Sequence, residues 1–521
     1  MWINYKVVLL FITLGFTFSG FARPIQFRLT MNPTTFDWNQ IHASAMGPIL
    51  MNIMEGLFQE RQDLKIEPRL VESYQLSSDQ KTYTFKIKNV SWSDGKPLLA
   101  QHFADSWERL LHPKTKSGYA TFLFDIVGAK DFHLGKKSFS EVGIKVLSKD
   151  KIQIKLSEPI PYFLHILTFW VTFPIRKDLI IQNNKKWSLP PHLVTLGPYK
   201  ITNWIPHEFI LFEKNENYHD KKRLISSPEK IRGNIVINEK IARTRFFEGK
   251  DDFLINATTE DFIRFRKHKK IKIRRYPYLA TFYLGFQTKR KFIKNNDLRK
   301  AIAYSIDKNE LPGILKGGQT PATGLIPPGL IGHQNKPVII PSIIQAKGHL
   351  LKSGYPEGKG ISPLTLWIEN FDGSKNLAKF LEKRFLKNLG IRIETRIGSR
   401  SQFQNARKKG LTDLFIGHWG ADYPDPASFF NVFLSKSGTN YTGWKNSFYD
   451  ELIEKARSTK NKEERLKIYG QAEELLLQKE VIITPLFHKK TTVLIGERIK
   501  NLVLTPLNYL YFELIKLKKN N

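Results

Sequence analysis

The 521 residues carry 82 Lys and Arg against 48 Asp and Glu, a formal charge of +34, with 41% hydrophobic and 12% aromatic residues and no cysteine. A chain of this length and apolar content folds into two or three domains around large cores. The missing cysteine excludes disulfides, thiolate metal sites, a cysteine nucleophile and a lipobox anchor.

Lys6 precedes the apolar run Val7–Phe16, and Gly20 and Ala22 stand at the −3 and −1 positions of a cleavage site. That pattern predicts a signal peptide over residues 1–22, since the run is short for a span of ~20 residues. The expected product is exported, soluble, periplasmic and not lipid-anchored. The basic residues run from Arg23 to Lys519, interleaved with apolar ones, and Lys6 is the only charge in the leader. They read as a solvated surface able to attract anionic partners at low ionic strength. No zinc-finger, helix-turn-helix or RNP-like pattern accompanies them, so no nucleic acid is expected as partner; a basic exported nucleic-acid binder is the alternative that such a charge invites.

Thr82 to Lys88 alternates strictly, predicting a strand with one wet face, and Val90 to Leu98 reads as a turn. Ala100 to Leu111 has helical spacing, and Ile152 to Leu156 alternates again. Prolines 159, 161 and 191 punctuate an excursion before a strand region around Tyr199 to Phe212. Leu298 to Ile306 is spaced as a helix, and Ala378 to Leu389 is an amphipathic helix stopped by Gly390. Ile391 to Thr395 then resumes as a strand. Tyr449 to Lys479 predicts two helices, and Val481 to Ile483 a returning strand. Strands and helices alternate without a fixed repeat or low-complexity linker, which predicts α/β lobes joined by strands passing directly between them.

Catalytic patterns are lacking: no HExxH, no Gly-x-Ser-x-Gly elbow, and Gly317-Gly318-Gln319-Thr320 lacks the P-loop lysine. The pairs Glu463-Glu464 and Glu473-Glu474 read as solvated helix faces. No catalytic residue, metal site or cofactor is expected. The most informative stretch is His418-Trp419-Gly420-Ala421-Asp422-Tyr423-Pro424-Asp425-Pro426, at the exit of the apolar run Asp413 to Gly417. A carboxylate beside Trp at the end of a buried strand is placed to meet a cation in a cleft; an Asp-Pro turn is the plainer alternative.

Ordered blocks across nearly the whole mature chain carry a resemblance. They include Glu55-Gly56-Leu57, Pro68 to Tyr74, Ser78 to Phe85, Trp92 to Leu98, Phe103 to Leu110, and Leu156 to Phe163. Gly197-Pro198-Tyr199-Lys200, Asn215 to Tyr218, Arg299 to Lys308, Pro327-Pro328, Trp419 to Pro426 and the Arg465, Tyr469, Ala472, Glu473 helix complete the set. In these the chain resembles the extracellular solute-binding proteins (family 5) of peptide-type ABC transporters, and among them the oligopeptide-binding branch. The resemblance implies an α/β, two-lobed periplasmic-binding-protein fold of type II, cluster C-like, with an extra inserted domain and a hinge. The lobes map as 23–54, 172–275 and 488–521 for lobe I, 55–171 for the inserted domain, and 276–487 for lobe II. It further implies a monomer without catalysis that binds peptides, of oligopeptide length in the first reading, and delivers them to inner-membrane permease subunits. Dipeptides, murein peptides or another cationic solute are the alternative ligands.

At the residue level the resemblance gives Asp422 the ligand's α-ammonium, and the backbone at His418 and Gly420 its main chain. Trp419 either walls a side-chain pocket or is a plain core residue. His418 is a cleft-edge candidate, Tyr119 a contact from the inserted domain, and Asp425 a turn residue. The branch has an Arg where this chain has Ile416, and a Glu at the place of Gly285; both departures bear on ligand length and on the carboxylate end.

Overall fold

Alternation and stop signals translate directly into elements. In the strand Thr82–Ile87, Tyr83, Phe85 and Ile87 turn inward and the residues between them do not. It pairs with Val71–Leu76 and Lys151–Lys155, and the latter with Ile144–Ser148, in a four-stranded antiparallel sheet. The helix Ala100–Leu111 buries Phe103, Trp107 and Leu110 against it, each contributing about 1.5–3 kcal/mol. The helix Ser374–Leu389 ends where Gly390 takes φ +69°, open to a residue without Cβ. Ile391 N–H still reaches Phe385 O at 3.2 Å to close that helix end, so the next strand begins at Ile393, two residues later than alternation alone suggests.

The computed structural model describes residues 23–41 and 44–518, and the leader read over 1–22 lies outside them. Its main element is an eleven-stranded mixed sheet. From one edge the order is Ile393–Gly398, Leu364–Glu369, Leu414–Gly420, Lys272–Phe286, Ile483–Ile495, Phe253–Ile255, Ile25–Leu29, Lys230–Ile235, Phe209–Lys214 and Tyr199–Ile205, with Thr320–Pro321 pairing to Ile483–Ile495 off this path.

Two long strands hold this sheet together. Lys272–Phe286 and Ile483–Ile495 run antiparallel through both halves, with a register break between Pro277 and Thr281. Pro277 has no N–H for the ladder, and such irregularities bend a strand. Before the break lie the strands of one lobe; beyond it Leu414–Gly420 takes over, pairing from Ala280 to Phe286. The expectation of strands passing directly between lobes holds, and the break falls where the neighbouring strands change. A separate core, Phe282 to Phe487 in sequence, fills the second lobe around Leu298, Ile302, Leu381 and Phe385. A larger cluster serves the first lobe, the four-stranded sheet and the helices Ser447–Ser458 and Lys462–Glu474. No helix among the described residues is long and apolar enough to cross a membrane.

One surface reading needs correction, and one turn reading gains a second role. Glu473 is not on a solvated face: it is 2% exposed and accepts Leu325 N–H at 2.7 Å. Burial raises its carboxyl to about 7. Asp425 does cap its turn, accepting Ala427 N–H at 2.9 Å, but it is also buried in an ion pair with Arg465. Arg465 lies forty residues from Asp425 and Leu325 148 residues from Glu473, separations that periodicity does not reveal.

Candidate functional site

The strand Leu414–Gly420 starts buried and ends open. Leu414, Phe415 and Ile416 are buried, whereas His418 has accessible surface and Trp419 and Gly420 are half-buried. On one side it pairs with Lys272–Phe286 along its whole length; on the other Leu364–Glu369 pairs only as far as Ile416. From Gly417 onward one edge is therefore free of sheet partners. Gln287 N–H donates to Asp413 O at 3.0 Å and Ala421 N–H to Leu279 O at 2.8 Å, which turns the odd-numbered main-chain groups toward the long strand. The N–H and C=O groups of His418 and Gly420 point to the free edge.

Asp422 closes that edge. Its backbone N–H donates to Ser428 Oγ at 3.0 Å, which fixes the chain direction, while its carboxylate has no ion pair among the described residues. The carboxylate is half-buried, and burial alone pushes it up from the usual range to about 7. Tyr119 stands close enough that its hydroxyl feels Asp422; burial and then that charge raise its pKa, and Arg400 opposes them. Tyr119 is held by Phe122 and Phe169, each 5.1 Å away between ring centroids. Tyr278 has its hydroxyl over Gly420, where a Cβ would stand 2.7 Å from it, and it too feels Asp422.

The structure thus brings Asp422, Trp419, Gly420, His418 and Tyr119 to one place. The His418 ring stacks on Phe282 at 4.9 Å, and Phe282 on Phe487 at 4.7 Å. Although His418 has accessible surface, protein surrounds it: burial first, and then Lys489, Arg400 and Arg407, depress it to about 4. His418 thus stands at the open end of the strand, with the charges of Lys489, Arg400 and Arg407 around it. Trp419 is half-buried against the larger core, and its Nε1 is buried without a hydrogen-bond partner. Across the cleft, Tyr423 stacks on Tyr162 at 5.0 Å, and Arg465 lies 5.5 Å from the same Tyr162 ring. These contacts bring the segment after the strand against the 55–171 segment.

Sequence reading missed Tyr278, Arg400, Arg407 and Lys489. The Lys489-Lys490 pair in an otherwise apolar strand was the available signal. The two departures have structural accounts. A Cβ on Gly285 would stand 2.3 Å from the Phe415 ring, so Phe415 takes the space of any side chain there. Ile416 is buried in the second-lobe core, away from the free edge. Among the described residues no group of three or more His, Asp or Glu side chains is arranged to hold a metal ion. A wide depression of about 900 Å³ between Asn89–Ser91 and Glu216–Lys222 includes none of the residues above.

Two lobes on through-running strands, with an unpaired strand edge and an unpaired carboxylate in the cleft between them, define a two-lobed solute-binding protein. The chain belongs to the bacterial extracellular solute-binding proteins, family 5, whose model (described as the family 5 middle) matches residues 65–441. It is 28% identical over 487 residues to the oligopeptide-binding protein OppA of Bacillus subtilis (strain 168), covering 90% of this chain and 88% of that one. It is likewise 28% identical over 470 residues to the periplasmic oligopeptide-binding protein OppA of Salmonella typhimurium, covering 87% and 85%. Among solved structures, Haemophilus influenzae OppA in complex with RPPGFSPFR aligns with a TM-score of 0.79 at 24% identity, covering 95% of this chain and 99% of that one. The Escherichia coli murein tripeptide binding protein MppA gives 0.81 at 24% identity with the same coverage. Both share the fold.

Proposed function

We propose that this chain is the peptide-binding component of an ABC importer, which closes on peptides in the interlobe cleft and delivers them to a permease, without catalysis. The relatives' names, oligopeptide-binding proteins over most of their length, support the ligand class. The observation that carries the reading is the free edge at His418 and Gly420, ending at the unpaired Asp422 carboxylate. A peptide laid on that edge adds a strand through its main chain, so binding is indifferent to most side chains. Its α-ammonium meets Asp422 in a charge-assisted hydrogen bond, roughly twice as strong as a neutral one. Closure follows because the ligand binds the shut state better than the open one.

The lobe assignment belongs to the same proposal: 23–54, 172–275 and 488–521 form lobe I, 55–171 the inserted domain, and 276–487 lobe II. The core confined to 282–487 supports it. Export to the periplasm by a cleaved leader and action as a monomer complete the proposal.

Calorimetric titration with free-amine and N-acetylated peptides of two to five residues tests it. Asp422→Asn is expected to cost about 3 kcal/mol, roughly 100-fold in affinity, for free-amine peptides and little for acetylated ones. Equal losses for both would remove Asp422 as the anchor. No binding of any peptide would remove the receptor reading, and the tightest length settles the choice between dipeptides and longer ligands.

A further inference from the structure

One wall of the cleft carries cations that the fold itself does not neutralise. On the face that bears the stacked rings of His418, Phe282 and Phe487, Lys489 stands two residues beyond Phe487 in the same strand, so its side chain emerges on the same face. Its Nζ lies 5.9 Å from the ring of Tyr278, whose hydroxyl covers Gly420. Lys489 is half-buried and makes no ion pair or hydrogen bond among the described residues; Asp372 and Glu239 act on it only from beyond ion-pair distance. Arg400, exposed at the start of the helix Arg400–Lys408, is also without an ion pair, and its charge reaches both His418 and Tyr119. Arg407, two turns further along, lies 4.1 Å from the Tyr441 ring and 4.2 Å from Phe403, with its Nε buried and unbonded.

Other enclosed arginines of this chain, Arg69, Arg109 and Arg465, are each paired with a carboxylate. Holding the half-buried Lys489 without a counter-charge costs stability through dehydration, and Arg400 nearby adds repulsion. The arrangement becomes favourable only when something anionic enters. Asp422 is not that partner, because no cation bears on its carboxylate.

We infer that Lys489 and Arg400, beside His418, form an anion subsite that takes a carboxylate side chain of the bound peptide, so that the receptor selects acidic peptides. The inference rests on the peptide-binding reading, with the amino terminus at Asp422. His418 lies four residues back from Asp422, about 13 Å at the rise of an extended chain, and an extended ligand covers that distance in about four residues, which places the acidic residue around its fourth or fifth position.

Calorimetry with two hexapeptide series tests this: alanine peptides carrying Glu or Gln at position 3, 4 or 5, each made with a free C-terminal carboxylate and with a C-terminal amide. At one position Glu should bind at least tenfold more tightly than Gln in both series. That ratio should fall toward one in Lys489→Gln and Arg400→Gln and persist in Lys489→Arg. Arg400 is exposed at a helix start, so its variant folds even if the Lys489 variants do not. Equal binding of Glu and Gln peptides at every position overturns the inference while leaving the receptor intact. So does a ratio of one combined with loss of binding in the amide series, because the cations would then hold the C-terminal carboxylate. Absence of binding by every peptide removes the receptor reading, and this inference with it.

Discussion

Two acidic sites in this molecule, Glu55 buried in the fold and Asp422 half-buried at the cleft, behave in opposite ways. Glu55 accepts hydrogen bonds from Arg69 Nε at 2.9 Å and Tyr218 Oη at 2.6 Å, and lies 2.8 Å from His219 Nε2. Burial would raise its carboxyl, but Arg69, His219 and Tyr218 outweigh it and hold Glu55 at about 2. In the cleft nothing outweighs burial, and Asp422 stands at about 7. The first carboxylate has its counter-charge within the chain and serves the fold. The second lacks one, and its ionised form is favoured only when a cation arrives. Enclosure alone does not mark a binding residue; the proposal for Asp422 rests on its place at a free strand edge without a counter-charge.

The largest effect should follow from breaking the paired site. Arg69→Ala leaves Glu55 and Glu513 buried without the guanidinium that lies between them. Urea unfolding at neutral pH should show a loss of about 3–5 kcal/mol, the usual cost of orphaning a buried charge. A loss below about 1 kcal/mol would mean that the network is not structural, and the contrast with Asp422 would collapse. The pH dependence has a definite sign as well. The native pKa of Glu55 lies below its unfolded value, so its contribution is complete above about 4.5 and is lost as pH falls toward about 2.

The cleft site should respond in a different window. Asp422 must be ionised to hold an ammonium, and in the ligand-free protein it takes up a proton near pH 7. Affinity for free-amine peptides should therefore be greatest between about pH 7 and 8, weaken by about tenfold per unit below that, and fall again above about 8 as the peptide's α-amine loses its proton. His418, depressed to about 4, remains neutral over this range and adds no slope. Titration calorimetry between pH 5 and 8 checks the profile. A slope that survives in Asp422→Asn, or appears equally with N-acetylated peptides, would assign the proton to another group, with Glu473 the first to examine because it also stands near 7.

What the sequence disclosed about these sites follows the range of the interactions. The helix Ala100–Leu111, the alternation at Thr82–Ile87 and the stop at Gly390 are local patterns, and each appears with boundaries within a few residues of expectation. The ordered blocks led to the family, and through it to Asp422, His418 and Gly420. The pairing of charges was not legible, because Asp425 meets Arg465 forty residues away and Arg69 meets Glu513 from the far end of the chain. Lys489 was hidden for a related reason: in sequence it is one lysine among many, and only the register against Phe282 and His418 turns it into the cleft.

The smallest effect is the most discriminating. A carboxyl whose native pKa lies above its unfolded value binds a proton on folding, so the native state loses stability as pH rises from about 4 to about 7. Asn has no such proton to lose. Ligand-free Asp422→Asn should therefore equal the wild type near pH 4 and exceed it by about 1–2 kcal/mol at pH 7.5, a figure discounted because water reaches the cleft. Paired urea titrations of the two proteins at the two pH values read this difference. A gain at pH 7.5 alongside lost peptide affinity means that the fold tolerates an unfavourable carboxylate whose favourable partner is the ligand. A variant less stable than the wild type at pH 7.5 would mean that Asp422 is held by a partner within the fold, and the distinction between the two acidic sites would fail at its sharper end.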